Sequence, residues 1–596
     1  MSKPGLWAVK IACIAGMAAL PLVVDSYWLN MLTLALIYSL AVFSINVLTG
    51  FTGLLSFGQA GFVGLGAYTY GVLSVSGSSP AIAALAGVAL PTAVGLLLAL
   101  PAARLKGHYL AIGTLGFGVL IAQLLNNWVG VTRGPMGLLG IRSIGLDRSE
   151  WFYVALGVSL LIVTGLNILE RRTFLGLVLK SVKHDEIVSG ACGIPVFAVK
   201  LFAFCLSALL AGLCGVLLAA NMRFLTPDLF GTEESFRYLM IAVIGGVGSA
   251  TGGLLSALVL TVIPEVLRTL GETNVRLLVY GMMVLFALWF LPAGIGGLIE
   301  RGVRGRPQGG ATKETGRLVL PGLAASKKGT APATAILELR GVSKSFGGVQ
   351  ALQSVDLAGL PGEVHGLIGP NGAGKSTLLG CITGVSRINA GEIVFRGRRI
   401  DRLPAHRRAR LGIGRTFQKI RLAGELTVFE NVAVGLAAQR LSRISRYLRV
   451  LTPLSAAAIA ETVSGALDAA GIADSAGETV ASLPYGTRHN VEVARSLVAQ
   501  PDVLLLDEPA TGLTGEERRR LGVLVRRIAE SGCLVILVEH DLAFVGELCD
   551  RVTVIEYGRR IFTGTPVEAQ NDTAVVKAYL GSAKFVKREE RRAEAT

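Results

Sequence analysis

The sequence predicts a multi-domain chain: a polytopic α-helical membrane domain of about ten crossings, followed by a soluble α/β domain built on a phosphate-binding P-loop. Three observations predict it. Charge is unevenly divided: residues 1–300 carry 16 Lys+Arg and 12 Asp+Glu, whereas residues 301–596 carry 41 and 29. Apolar runs of membrane length recur through the first half. A G-x-x-x-x-G-K-S run stands in the second, after a short apolar stretch.

Composition bounds the function classes. The 596 residues are 52% hydrophobic and only 16% charged, with a mean hydropathy of +0.58. Soluble domains are about a quarter charged. A wholly soluble enzyme, a disordered chain and a disulfide-stapled module are therefore excluded. The net charge of +16 suits a membrane protein whose basic residues collect on the cytoplasmic side. No basic patch is interleaved with aromatics, so no nucleic-acid partner is expected. The 7 cysteines include no C-x-x-C pair and read as small apolar residues.

Apolar runs lie near 8–24, 28–48, 54–75, 80–103, 108–130, 152–170 and 196–221. Crossing takes about 30 Å of hydrocarbon at about 1.5 Å per residue. The first run reads as a membrane helix rather than a leader. Lys3, Lys10, Arg104, Lys106, Arg171, Arg172, Lys180 and Lys183 should be cytoplasmic. Asp25, and the loop 222–235 with Asp228, Glu233 and Glu234, should lie outside. Arg301, Arg304 and Arg306 return the chain inside. The run 276–297 supplies one further crossing, and 236–268 must supply two, turning in the Gly-rich stretch 245–253. No Lys, Arg, Asp or Glu is expected deep in a span, so no ion-coupled proton relay is expected. Residues 1–300 thus form the membrane domain and 336–581 the soluble one. The basic linker 301–335 is expected to be flexible and attracted to anionic membrane lipid. A charged tail follows over 582–596.

In the soluble half, the apolar run 364–368 precedes Gly369, Pro370, Asn371, Gly372, Ala373, Gly374, Lys375, Ser376 and Thr377. Glycines let backbone amides close on phosphate oxygens at a helix N-terminus. Lys375 would reach the β- and γ-phosphates of ATP, and the Ser376 hydroxyl would ligate Mg²⁺. A second apolar run ends in Asp507 and Glu508. Asp507 suits Mg²⁺ coordination, and Glu508 would polarise the attacking water. A third run, 534–538, ends in Glu539, His540 and Asp541.

With these motifs in place, residues 336–581 resemble an ABC transporter ATPase. The resemblance implies that Phe346 stacks on adenine and that Gln418 senses Mg²⁺ and contacts the membrane partner. It implies that His540 is the γ-phosphate switch. The family signature falls at Leu483-Pro484-Tyr485-Gly486-Thr487, so Tyr485 and Gly486 would complete the site of a second ATPase in trans. Pro484 stands where most members carry serine, and proline has neither hydroxyl nor N–H. Either the remaining amides suffice, or the site completed by this signature is weak.

Residues 30–297 resemble the permease of branched-chain amino acid importers. The resemblance rests on Leu48 to Ala60, Gly64 to Tyr68, Thr132 to Leu138 and Ile244 to Ser249. Glycines from Gly50 to Gly58 would break a helix, and broken helices offer amides to a substrate carboxylate. Asn46, Ser56 and Gln59 are candidate polar liners of the path; interhelical hydrogen bonding is the other reading. The cytoplasmic loop 171–195 is expected to dock the ATPase through residues 183–188. Together these imply an ATP-driven importer of branched-chain or related hydrophobic amino acids in a bacterial cytoplasmic membrane. A second permease and a second ATPase domain, from paralogous subunits or another copy, would complete it, with an extracytoplasmic binding protein. Import of urea, amides or aromatic acids is the alternative, and an ATP-gated regulatory protein the second.

Overall fold

The computed structural model describes residues 15–105, 107–142, 145–268, part of 278–303, 334–440, 453–454 and 456–579. The start of the expected first helix, parts of the run 276–297, most of the linker and the charged tail lie outside these residues. The chain divides into two compact units, one drawn from residues 1–183 and 196–308, the other from 184–195 and 309–596.

The first unit is helical. Its main helices are α1 (Ser26–Ile45), α2 (Gln59–Val75), α3 (Pro80–Ala102), α4 (His108–Asn127) and α5 (Arg148–Arg172). Two short helices follow in the chain, α6 (Phe174–His184) and α7 (Glu186–Ala191), the latter in the second unit. Next come α8 (Val196–Met222), α9 (Thr232–Gly245), α10 (Ala250–Arg268) and α11 (Gly294–Val303). A π-helical stretch, Asn46–Phe51, extends α1. Five helical segments among the described residues are long and apolar enough to cross a membrane: Ser26–Phe51, α3, α4, α5 and α8. From Ala35 to Phe43 α1 is almost wholly buried, packed by α5, α8, α9 and α10. An all-round apolar helix demands such a position.

The expected turn falls at residues 246–249, between α9 and α10. Gly246 and Gly248 take φ of 94° and 97°, a region open chiefly to glycine. The turn lies against the π-helical stretch. A Cβ on Gly50 would collide with the Gly248 backbone. Asn46 bridges the same point, its Oδ1 accepting from the Gly248 amide at 3.1 Å and its Nδ2 donating to Ser249 O at 3.2 Å.

Two expectations bear on this region. Glu234 was placed in an outer loop, and no charge was expected deep in a span. Yet α9 carries Arg237 over the ring of Tyr38, 4.7 Å from its centroid, and Arg237 pairs with Glu234 at 3.0 Å. Tyr38 stands 12 residues from both Ser26 and Gly50, about 18 Å of helix from each. The pair therefore sits level with the middle of the segment Ser26–Phe51, α1 with its π-helical extension. With 14 residues, α9 is about 21 Å long. It runs from that level to the Gly-rich turn.

The second unit contains two sheets. Strands β1 (Leu337–Phe346), β2 (Val349–Gly359), β4 (Ala390–Phe395) and the pair Arg398–Arg399 form an antiparallel sheet. The larger sheet follows the order β9-β8-β3-β7-β6-β5. Its members are β3 (Val364–Ile368), β5 (Ile413–Arg415), β6 (Val503–Asp507), β7 (Leu534–Val538), β8 (Arg551–Glu556) and β9 (Arg559–Gly564). All pairings are parallel except β8–β9. Every residue of β3, β6 and β7 is buried. Leu505 and Ile536 enter one core and Leu504 and Leu537 the other. Both faces are covered, which explains why these strands read as continuous apolar runs.

The Gly50 contact predicts that Gly50→Ala destabilises the first unit by about 1–3 kcal/mol. Gly116→Ala, where a Cβ meets nothing within 4 Å, should be neutral. Trp7, Trp28, Trp128, Trp151 and Trp289 all lie in the first half, so tryptophan fluorescence during thermal unfolding in detergent reads this unit selectively.

Candidate functional site

The parallel strands bring three loops together. After β3 the chain turns through residues 369–374 into helix α12 (Lys375–Thr383). Gly369 lies so close to the Ile555 carbonyl that a Cβ would overlap it, and one on Gly374 would stand 2.5 Å from Ala351 O. Asn371 and Gly372 are exposed at the tip, Ala373 is buried, and Thr377 is half-buried in the first turn of the helix. Lys375 folds back across the loop, donating to Gly369 O at 2.7 Å and Pro370 O at 2.9 Å. Burial lowers its pKa, against the opposing charges of Glu508 and Asp507.

Asp507 ends β6. Its Oδ1 accepts from the Ser376 hydroxyl at 3.3 Å, and its Oδ2 pairs with Arg415 at 3.1 Å. Burial raises its pKa, and Arg415 works against that rise. Glu508 has a φ of 52°, and its amide donates to Val538 O at 2.9 Å. Its carboxylate accepts from Gln418 Nε2 at 3.1 Å. At the end of β7, buried Glu539 accepts from the Ala510 amide at 2.7 Å, while His540 is 61% exposed. Phe346 is half exposed at the end of β1, with the Lys344 ammonium 4.7 Å from its ring centroid.

The structure therefore brings Lys375, Ser376, Asp507, Glu508 and Gln418 into one constellation. Tyr485 and Gly486 stand apart from it, opening helix α16 (Tyr485–Leu497; α13, Ala405–Leu411, α14, Val428–Val434, and α15, Ala457–Ala469, precede it). Tyr485 borders Gly512, and Gly486 borders Glu517. Pro484 is the N-cap of α16 and gives no side-chain hydrogen bond there.

Asn46, Ser56 and Gln59 are wholly buried in the first unit. Gln59 accepts from Ser44 at 3.1 Å and donates to Ser207 at 3.2 Å and Ser56 at 3.4 Å. Gln59 thus joins α2 to α1 and α8, Asn46 ties the extension of α1 to the Gly-rich turn, and Ser56 accepts locally from the Gly58 amide and Gln59.

Sequence reasoning gave no role to Arg415, Arg421, Glu492 or Arg495. Glu492 is fully buried on α16. Its Oε1 accepts from the Phe417 amide at 3.1 Å and from Arg495 at 3.3 Å. Its Oε2 has no hydrogen-bond partner among the described residues. Arg495 also donates to Arg421 O at 2.7 Å, and Arg421 pairs with Asp185 at 2.6 Å. Asp185 caps α7 through the amides of Ile187 and Val188. Arg410 donates to Gly193 O at 2.9 Å. The segment 184–195 is thus fastened to residues on either side of Gln418. Glu492 and Arg495 are three residues apart on α16, but their bonds to the Phe417 amide and the Arg421 carbonyl, and the pairs of Arg415 and Arg421, arise only by tertiary packing.

Comparison with known proteins places this geometry. The family of branched-chain amino acid transport system permease components matches residues 27–288. The ABC transporter family matches 352–511, and that of branched-chain amino acid ATP-binding cassette transporters matches 559–584. The high-affinity branched-chain amino acid transport ATP-binding protein LivG of Escherichia coli K12 is 36% identical over 252 residues, covering 42% of this chain and 98% of that protein. The corresponding protein BraF of Pseudomonas aeruginosa is 37% identical over 254 residues, with coverage of 42% and 98%. Among solved structures, the ADP conformation of an ATP-binding cassette of an ABC transporter is 27% identical. It covers 42% of this chain and 99% of that one, with a TM-score of 0.38.

Burial pushes the Glu492 carboxyl up to about 7. Between an unfolded value near 4.5 and that folded value, the native state binds the extra proton. Stability therefore falls as pH rises through this window. From pH 5.5 to 7.5 the wild type should lose about 2 kcal/mol more than Glu492→Gln. Hydrogen exchange of α16 amides, corrected for intrinsic rates, checks this.

Proposed function

Because the chain belongs to the branched-chain amino acid ABC transporter family, with permease and ATP-binding segments in one polypeptide, we propose that it imports branched-chain amino acids across a bacterial cytoplasmic membrane by hydrolysing ATP. The observation that carries this is the convergence of Lys375, Ser376, Asp507, Glu508 and Gln418 at the carboxyl ends of β3 and β6. In this reading the loop 369–374 and Lys375 hold the β- and γ-phosphates, and Phe346 stacks on adenine. Glu508 takes a proton from the attacking water, Gln418 holds the Glu508 carboxylate in place, and His540 contacts the γ-phosphate.

The donor set fits Mg²⁺: a hydroxyl and a carboxylate, 3.3 Å apart, are the hard oxygen ligands this ion takes. When bound, Mg²⁺ would neutralise charge on the phosphates beside Ser376, Gln418 and Asp507.

One chain holds one P-loop and one signature. A second ATPase domain and a second permease therefore complete the transporter, and Tyr485 and Gly486 serve the partner's nucleotide. An extracytoplasmic binding protein delivers the amino acid. Residues 184–195 continue directly into α6 and α8, and their tie to Arg421 gives the ATPase cycle a covalent route to the membrane helices.

Radiolabelled leucine uptake into proteoliposomes holding this chain, its partner subunits and a binding protein tests the reading. Uptake should be ATP-dependent and fall by at least about 10²-fold in Glu508→Gln. Binding-protein-stimulated ATPase activity without leucine uptake would discard the substrate and retain the importer. In the same assembly, Pro484→Ser should change the ATPase rate by less than about fivefold, since one neutral hydrogen bond contributes about 1 kcal/mol. A larger gain would show that the signature with proline is weak.

A further inference from the structure

The pair on α9 takes no part in the hydrogen bonds of Asn46, Ser56 and Gln59, although Arg237 also hydrogen-bonds Tyr38 on α1. It lies level with the middle of the membrane-length segment Ser26–Phe51, where an ionisable side chain is costly unless it serves a pathway or a partner. Burial is incomplete: the Arg237 side chain is 38% exposed and that of Glu234 23%. An ion pair left partly open at this depth is incompatible with hydrocarbon against it, so this face meets water, substrate or protein. The two charges are three residues apart on one helical face. Arg237 rests on the Tyr38 ring, whose centroid is 5.8 Å from that of Tyr238.

The surroundings supply a second kind of chemistry. Half-exposed Phe236 lies beside Phe57, ring centroids 5.2 Å apart, and Leu55 is exposed next to them in sequence. The Ser235 hydroxyl accepts from the Ala60 amide at 3.0 Å. The broken starts of α2 and α9 are therefore fixed to each other. A fixed positive group, a fixed negative group and an open apolar flank match the three parts of a hydrophobic amino acid: carboxylate, ammonium and side chain.

Resting on the import function proposed above, we propose that Arg237 and Glu234 receive the transported amino acid within the membrane domain. The guanidinium takes the α-carboxylate, the carboxylate takes the α-ammonium group, and the Phe57–Phe236 flank takes the side chain. The intramolecular ion pair stands in for both substrate charges until the amino acid arrives, so neither side chain is left unpaired at that depth.

The test uses the complete transporter in proteoliposomes with leucine-loaded binding protein, reading leucine uptake and ATP hydrolysis together. Glu234→Gln and Arg237→Gln should each lower uptake at least tenfold while stimulated ATPase activity stays within twofold of wild type. The charge-swapped double variant E234R/R237E keeps an ion pair but reverses its direction, and it should remain as defective as the single variants. Restoration of uptake by the swap would show a merely structural or intersubunit pair and overturn the proposal. Wild-type uptake in both neutral variants would overturn it as well. If the neutral variants fail to assemble, the swapped variant decides alone: ATP hydrolysis without uptake supports the site, and uptake refutes it. Failure of the wild type itself to import leucine, with ATPase activity stimulated, would remove the substrate reading and this site with it. That result is separable from the others because it needs no variant.

Discussion

The parallel pairing of β3, β7 and β6 is the constraint on which the nucleotide site depends. Val538 is in register with both Leu367 and Asp507, so the three strands end at one level. Each strand is wholly buried, which leaves little freedom for register slip. The phosphate loop, the Asp507–Glu508 pair and the Glu539–His540 pair must then emerge side by side. Glu508 is held in the left-handed region by its amide bond to Val538 O. Such a conformation costs about 1–3 kcal/mol and persists only where the surroundings over-determine it. Here the sheet does so, and the backbone turn presents the Glu508 carboxylate to Gln418.

A second level of organisation is polar and partly buried. Glu492 ties the Phe417 amide to Arg495, Arg495 reaches the Arg421 carbonyl, and the Arg421 side chain reaches Asp185. The Asp185 carboxyl is affected first by burial, which would raise its pKa. The Val188 amide and Arg421 outweigh that and hold it below the usual carboxylate range. Each link is an ordinary hydrogen bond or ion pair, but together they span from segment 184–195 to the residue preceding Gln418. Glu492 and Arg495 are buried, and removing either would leave the other buried without its partner; the Arg421–Asp185 end is part exposed.

The sequence announces what depends on local pattern. Strands β3, β6 and β7 are legible as five-residue apolar runs, and the glycine spacing of the phosphate loop is legible because backbone close to phosphate tolerates no Cβ. The Gly-rich turn before α10 is legible for a similar reason. Arg415 is different: it occurs in a basic stretch, and only the fold reveals that it pairs with Asp507 rather than with solvent. Glu492 reads as an unremarkable polar position on an amphipathic helix until Phe417 is laid across it. Asn46 and Gln59 are legible as polar residues in apolar helices, but whether they line a path or join helices depends on their neighbours.

Glu234 and Arg237 were illegible for a more specific reason. Charge density in a membrane sequence marks loops only if helices run from face to face. Here the chain between α8 and α9 descends before it becomes helical. The short strand Phe224–Leu225 pairs with Leu138–Leu139, and Phe230 packs against Tyr68 on α2. By the time α9 begins, the chain has already reached the level of Tyr38. The lower end of α9 is then pinned by Asn46 and by the contact between Gly50 and Gly248, and its upper end by Ser235 and Ala60. A helix of 14 residues fixed at both ends has little freedom to carry its charges toward water. The small residues that permit close approach at one end therefore determine the depth of the ion pair at the other, and glycine content and buried charge in this domain have a common cause.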